Sequence, residues 1–195
     1  GDAAQSMSYW VFTDIFEENG PPPTPFHGGF GLLNLQSIKK PAYFAYQFLN
    51  QLGATELQNQ DAASWVCRDA HGGVQVLLWN LTHLTEGKVS NQEAFRRLQP
   101  AGAATEVKLQ LTNLLPGRYG LEWTRVGFEK NDAYTAYLKL GAPTQLNRAQ
   151  VQLLRDAASG EPEQQPDLIV DKTGTFSASL TLRTSDVLLV KLRAK

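Results

Sequence analysis

A single cysteine, Cys67, in a chain of 195 residues excludes an internal disulfide. It sits in SWVCR, an apolar strand-like stretch, and reads as a small buried hydrophobe rather than a nucleophile. Basic surface is equally scarce. The net charge is −1 with Lys and Arg spread thinly, which excludes the concentrated basic face that nucleic acid or an anionic membrane requires. No apolar run approaches the roughly 20 residues of a membrane span. No basic stretch followed by an apolar core marks a signal peptide. His27, His71 and His83 stand too far apart and too irregularly for a metal-ligand pattern. Neither a metal nor another cofactor is expected.

What is present is a packed globular composition, 42% apolar and 19% charged. The texture changes near Gly53. Before it, Met7 to Phe12 is almost wholly apolar, which predicts a strand buried on both faces. Two adjacent glutamates, Glu17 and Glu18, follow, and then GPPPTP, where proline excludes helix and central strand. Next, KKPAYFAYQFLNQLG predicts a helix. Pro41 suits its first turn, Tyr43, Phe44, Tyr46, Phe48, Leu49 and Leu52 make an apolar face, and Gly53 takes the left-handed terminal position. Strand, loop and helix make one βα unit, which cannot bury its own strand.

Beyond Gly53 the chain reads as all-β, with strands at 63–68, 73–81, 105–111, 117–126, 175–182 and 186–192. In EVKLQL and TFSASLTL, apolar residues alternate onto one face, and such strands predict a β-sandwich. RTSD at 183–186 predicts a terminal hairpin. One helix is expected near 147–158, with Val151, Leu153 and Leu154 on its apolar side. EPEQQPD (161–167) is expected to be a surface loop. Trp79 and Trp123 are expected in the sandwich core. Asn80-Leu81-Thr82 satisfies a glycosylation sequon by coincidence.

The segments SYWVFTDIFEE (8–18), PFHGGFGLL (25–33) and KKPAYFAY (39–46) resemble the C-terminal part of glycoside hydrolase family 39, the β-xylosidases and α-L-iduronidases. NDAYTAYLKLGAP, with Asn131, Ala133, Tyr134 and Gly141, is similar to a later segment of that family. The one departure in the first segment is Val11, a β-branched residue that suits a strand. The resemblance implies a fold class that is mostly β: a C-terminal β-sandwich, residues 53–195, preceded by the last βα unit of a (β/α)8 TIM barrel, residues 1–52. Barrel active sites form at the C-terminal ends of the strands, so Glu17 and Glu18 would be delivered to the substrate pocket.

The implied function is retaining hydrolysis of β-xylosides, exo-acting on xylo-oligosaccharides. That chemistry needs two carboxyl groups about 5–5.5 Å apart. The resemblance places both catalytic glutamates on earlier strands, so no catalytic residue is expected in this chain. Trp10, Glu17, Glu18 and His27 are the expected substrate-binding residues. Neighbours on an extended segment point to opposite sides, so only one of Glu17 and Glu18 is expected to face the sugar, and which one stays open. For Trp10, a sugar platform and packing between barrel and helices are equally weighted; for His27, a bond to its own loop backbone is favoured over a sugar contact. Asp14 is expected to cap the turn. The expected partners are a xylo-oligosaccharide or other β-glycoside substrate and the missing N-terminal barrel portion of the same protein, with a homo-oligomer left open. A non-catalytic carbohydrate-binding or structural sandwich and an α-L-iduronidase-like hydrolase are the alternatives. Removing residues 1–50 is expected to make the sandwich more soluble.

Overall fold

The runs VQVLLW (74–79) and VLLVKL (187–192) show almost no polar alternation, and a strand of that kind has both faces covered. In the computed structural model, which describes residues 8–15, 20, 22–81, 98 and 100–195, they lie side by side in the middle of one sheet. Among the described residues the strands are β1 (Thr55–Glu56), β2 (Ser64–Arg68), β3 (Val74–Trp79), β4 (Thr105–Leu111), β5 (Gly117–Val126), β6 (Glu163–Val170), β7 (Phe176–Leu182) and β8 (Val187–Ala194). Six of them form an antiparallel sheet in the order β1-β2-β3-β8-β5-β6, and β4 pairs with β7 in a second sheet. Among the same described residues the helices are α1 (Pro41–Asn50), α2 (Ala133–Lys139) and α3 (Arg148–Ala157).

Three layers result. On one side, Val74, Val76, Leu188, Val190 and Leu192 pack against Leu109, Leu111, Phe176, Leu180 and Leu182 of the two-stranded sheet. On the other, Leu77, Val126 and Leu189 share a cluster with Phe44 and Phe48 of α1, Ala133 and Tyr137 of α2, and Leu154 of α3. The molecule is therefore mostly β, with a helical layer on the second face of the larger sheet. Phe44 and Phe48 are buried, and each contributes about 1.5–3 kcal/mol by leaving water.

The local signals explain the helices. Pro41 opens α1, where a missing N–H costs nothing. Asp132 caps α2 by accepting the Thr135 amide. Asn147 and Gln150 form a reciprocal capping box on α3. Alternation in β4 and β7 holds as expected, with Leu109, Leu111, Phe176, Leu180 and Leu182 inward. Cys67 is buried, and burial, then the charge of Glu56, pushes its thiol up.

Several expectations need correction. The predicted strand at Met7–Phe12 does not form among the described residues. Tyr9, Trp10, Phe12 and Ile15 are exposed instead of buried. RTSD is not a hairpin turn: β7 belongs to the small sheet and β8 to the large one, so residues 183–186 carry the chain between sheets. EPEQQPD is not a loop, since β6 begins at Glu163 and pairs with β5. An edge strand tolerates Pro166, and the register shifts between Tyr119 and Leu121, opposite that proline. Gly53 does not adopt the left-handed conformation. It is needed for a close approach, because a Cβ there would collide with the Arg68 carbonyl. On α3 Leu154 is buried but Leu153 is exposed. Trp123 packs with the sandwich core as expected, whereas Trp79 lies on the helical side.

Two buried carboxylates, Asp186 and Glu122, anchor ionic clusters on the sheet. Asp186, fully buried, takes Arg125 Nη1 at 2.5 Å and Arg183 Nη2 at 3.1 Å. It also accepts the Arg183 amide at 2.9 Å, so it ties the crossing between the sheets to β5. Glu122 accepts from Lys191 Nζ at 2.6 Å and Arg193 Nη2 at 2.7 Å. Burial pushes the Glu122 carboxyl up, but hydrogen bonds from Lys191, Arg193 and Gln164 outweigh that and hold it below the ordinary glutamate range.

Candidate functional site

The segment ahead of α1 folds as three short extended runs. Leu32 and Leu33 donate to the Val11 and Phe12 carbonyls at 3.2 and 3.0 Å, and Asp14 donates to Leu33 at 2.9 Å. Thr13 and Leu33 thereby form a parallel bridge, and Leu33 pairs antiparallel with Lys39. The path between the first two runs passes through PFHGGFG. Its glycines are required sterically: a Cβ at Gly31 would lie 2.5 Å from Asp14 Oδ1, and one at Gly29 would lie 2.6 Å from His27 Nε2.

Asp14 occupies the centre and is 1% exposed. Its Oδ1 accepts the Gly31 amide at 2.7 Å, and its Oδ2 sits 2.5 Å from Lys40 Nζ. Lys40 also donates to the Gly29 carbonyl at 3.0 Å. The expected local cap is thus a buried ion pair that reaches 26 residues along the chain. Asn34, fully buried, makes a second set of bonds to the same loop. Its Oδ1 accepts from Gln36 and Ile38 amides at 3.0 and 2.9 Å, while its Nδ2 donates to the Pro25 carbonyl at 3.3 Å.

Of the expected substrate-binding residues, Trp10 is 70% exposed, which excludes packing in a core of this chain. His27 is half-buried, with its ring against Gly29 beside Asp14. Glu17 and Glu18 lie outside the described residues. Tyr9, Phe12, Ile15 and Phe30 are likewise exposed, and the Tyr9 hydroxyl donates to the Phe30 carbonyl at 2.8 Å. Sequence reasoning missed Lys40 and Asn34. The only signal was a lysine pair before Pro41 and an asparagine closing the GFGLLN run, and neither spacing reveals a partner 26 or 9 residues away.

A cleft of about 770 Å³ opens beside the loop, bounded by Phe26, His27, Lys40, Tyr134, Tyr137 and Ser185 among others. Phe26 packs against both Tyr134 and Tyr137, with ring centroids 5.8 and 5.0 Å away. Burial raises the Tyr137 phenol, and a hydrogen bond with Thr24 partly opposes it. The Tyr137 hydroxyl donates to the Pro143 carbonyl at 3.0 Å. Among the described residues no cluster of His, Cys, Asp or Glu could hold a metal ion. Asp14, committed to Lys40 and Gly31, is not available as a general base. The arrangement can shape and line a pocket; it carries no acid–base pair of its own among the described residues.

The sequence profile of "Glycosyl hydrolases family 39" matches residues 1–175. This chain belongs to family 39. A β-xylosidase of Geobacillus stearothermophilus is 31% identical over 196 aligned residues, covering 98% of this chain and 34% of that protein. Among solved structures, a monomeric β-xylosidase from Caulobacter crescentus CB15 is similar over 97% of this chain, with a TM-score of 0.90 and 40% identity. A family 39 enzyme from Xanthomonas axonopodis pv. citri gives a TM-score of 0.92 and 37% identity over 98%. The chain covers 38% and 37% of those two structures. It therefore spans about a third of the length of the family 39 relatives it matches.

Proposed function

We propose that the chain is the C-terminal portion of a retaining β-xylosidase acting on xylo-oligosaccharides. On this reading residues 1–52 are the last strand, loop and helix of a (β/α)8 barrel, and residues 53–195 are the accessory sandwich that buttresses it. Both catalytic glutamates belong to earlier barrel strands. Glu17 or Glu18 binds sugar hydroxyls through charge-assisted hydrogen bonds, Trp10 offers its ring to a sugar face, and His27 borders the pocket.

The observation that carries the reading is the exposed row Tyr9, Trp10, Phe12 and Ile15 in a chain that aligns with family 39. A terminal barrel segment separated from the rest of its barrel would leave such side chains in solvent. The test joins this chain to its upstream coding sequence and measures hydrolysis of an aryl β-xyloside. The extended protein is expected to turn over and the 195-residue chain alone is not. Glu17→Ala or Glu18→Ala, one of the two, is expected to raise KM. An extended protein inert towards β-xylosides but active on an α-L-iduronide would move the assignment within the family. Calorimetric titration of the 195-residue chain with xylobiose addresses the binding-module alternative, which requires measurable heat.

A further inference from the structure

We propose that Lys40 and Asn34 are positioning residues, forming a polar strut through which the helical layer of the sandwich sets the geometry of the sugar-facing segment. The inference rests on the reading that this segment lines the substrate pocket.

The strut begins in the apolar cluster. Ile38 is fully buried among residues that include Leu77, Leu154 and Leu189, so its backbone is fixed by the sheet and α3. Arg155 of α3 donates to the Gln36 carbonyl at 2.8 Å, and Lys39 donates to the Ser159 carbonyl at 2.7 Å. These contacts hold residues 36–39 from outside. Asn34 relays that position inward, gripping the Ile38 amide with its oxygen and the Pro25 carbonyl with its nitrogen. Lys40 relays it to the other end of the loop, reaching Asp14 and the Gly29 carbonyl together. Asp14 closes the path by accepting the Gly31 amide. The loop 25–31 is thus held at Pro25, Gly29 and Gly31, and Asp14 lies three residues before Glu17.

Stability does not explain why an ion pair occupies this place. Removing two charges from water costs about as much as their attraction returns, and a packed apolar pair is often as stable. Direction comes from the hydrogen bonds on either side of the ion pair, Lys40 to the Gly29 carbonyl and the Gly31 amide to Asp14 Oδ1, which an apolar contact would not supply. Beneath an exposed aromatic surface that would meet substrate, defined direction is the property of use.

The experiment has two arms. In the 195-residue chain, hydrogen exchange at the Gly31 amide reports the strut without any substrate. Lys40→Met is expected to speed that exchange while amides of β3 and β8 keep their protection, and Lys40→Arg is expected to restore it. In the extended enzyme, Lys40→Met and Asn34→Asp are expected to raise KM for an aryl β-xyloside about tenfold with a smaller change in kcat, and Lys40→Arg to recover most of it. If Lys40→Met does not fold, Asn34→Asp carries both arms, with faster Gly31 exchange and a raised KM expected. Unchanged Gly31 exchange overturns the strut. Altered exchange with unchanged KM overturns its positioning role. A wild-type extended enzyme without β-xylosidase activity defeats the proposed function instead, and leaves the exchange arm to judge the strut.

Discussion

Single residues carry the geometry where charge is buried. Gly127 is an example: a Cβ there would collide with the Asp186 carboxylate, which is already held by Arg125 and Arg183. Gly127→Ala is expected to cost about 1–3 kcal/mol, read as a lowered midpoint in urea unfolding, and an unchanged midpoint would mean that the cluster moves aside freely. Glu122 gives a pH signature. Its carboxyl is depressed in the folded state, so its stabilisation is fully present above the unfolded value of about 4.3. It is lost as the pH falls through the lower folded value. Glu122→Gln is therefore expected to lower the Tm at neutral pH, by the equivalent of about 1–3 kcal/mol. The gap to the wild type should close on acidification below pH ~4, and a gap independent of pH would contradict the assignment.

At the scale of elements, α1 has two allegiances. Proposed as the last barrel helix, it nevertheless puts Phe44 and Phe48 into the same cluster as Leu77 and Leu189 of the large sheet. Phe48→Ala is expected to destabilise the sandwich by about 3–5 kcal/mol, measured by chemical unfolding followed through Trp79, which packs in that cluster. The expectation that removing residues 1–50 improves solubility is accordingly reversed. The deletion uncovers Leu77 and Leu189, and a lower Tm with more aggregation is expected. A soluble, equally stable fragment 51–195 would show that α1 is dispensable to the sheet.

At the scale of the molecule, the two ends differ in surface character. The β4–β7 sheet turns its polar residues outward, with Glu106, Lys108, Ser177 and Ser179 exposed. At residues 9–15 and Phe30, by contrast, several aromatic and aliphatic side chains are exposed. The 195-residue chain is expected to bind an environment-sensitive dye such as ANS there. A Phe12→Ser/Ile15→Ser/Phe30→Ser variant is expected to lose most of that signal, and retained binding would place the exposed surface elsewhere.

Much of this was legible from local pattern alone. Period-2 alternation marked β4 and β7, Pro41 marked α1, and the apolar residues of RAQVQLLRDA marked α3, because propensity and periodicity act over a few residues. The aromatic and glycine motifs of residues 8–33 were enough to indicate family 39. Tertiary structure decided the rest. It made a proline-bearing polar stretch into the edge strand β6, sent RTSD across between sheets rather than around a hairpin, and joined Asp14 to Lys40. Hydrogen bonds and ion pairs between segments far apart in the chain leave no periodicity to read. They exist only once hydrophobic burial has brought the segments together.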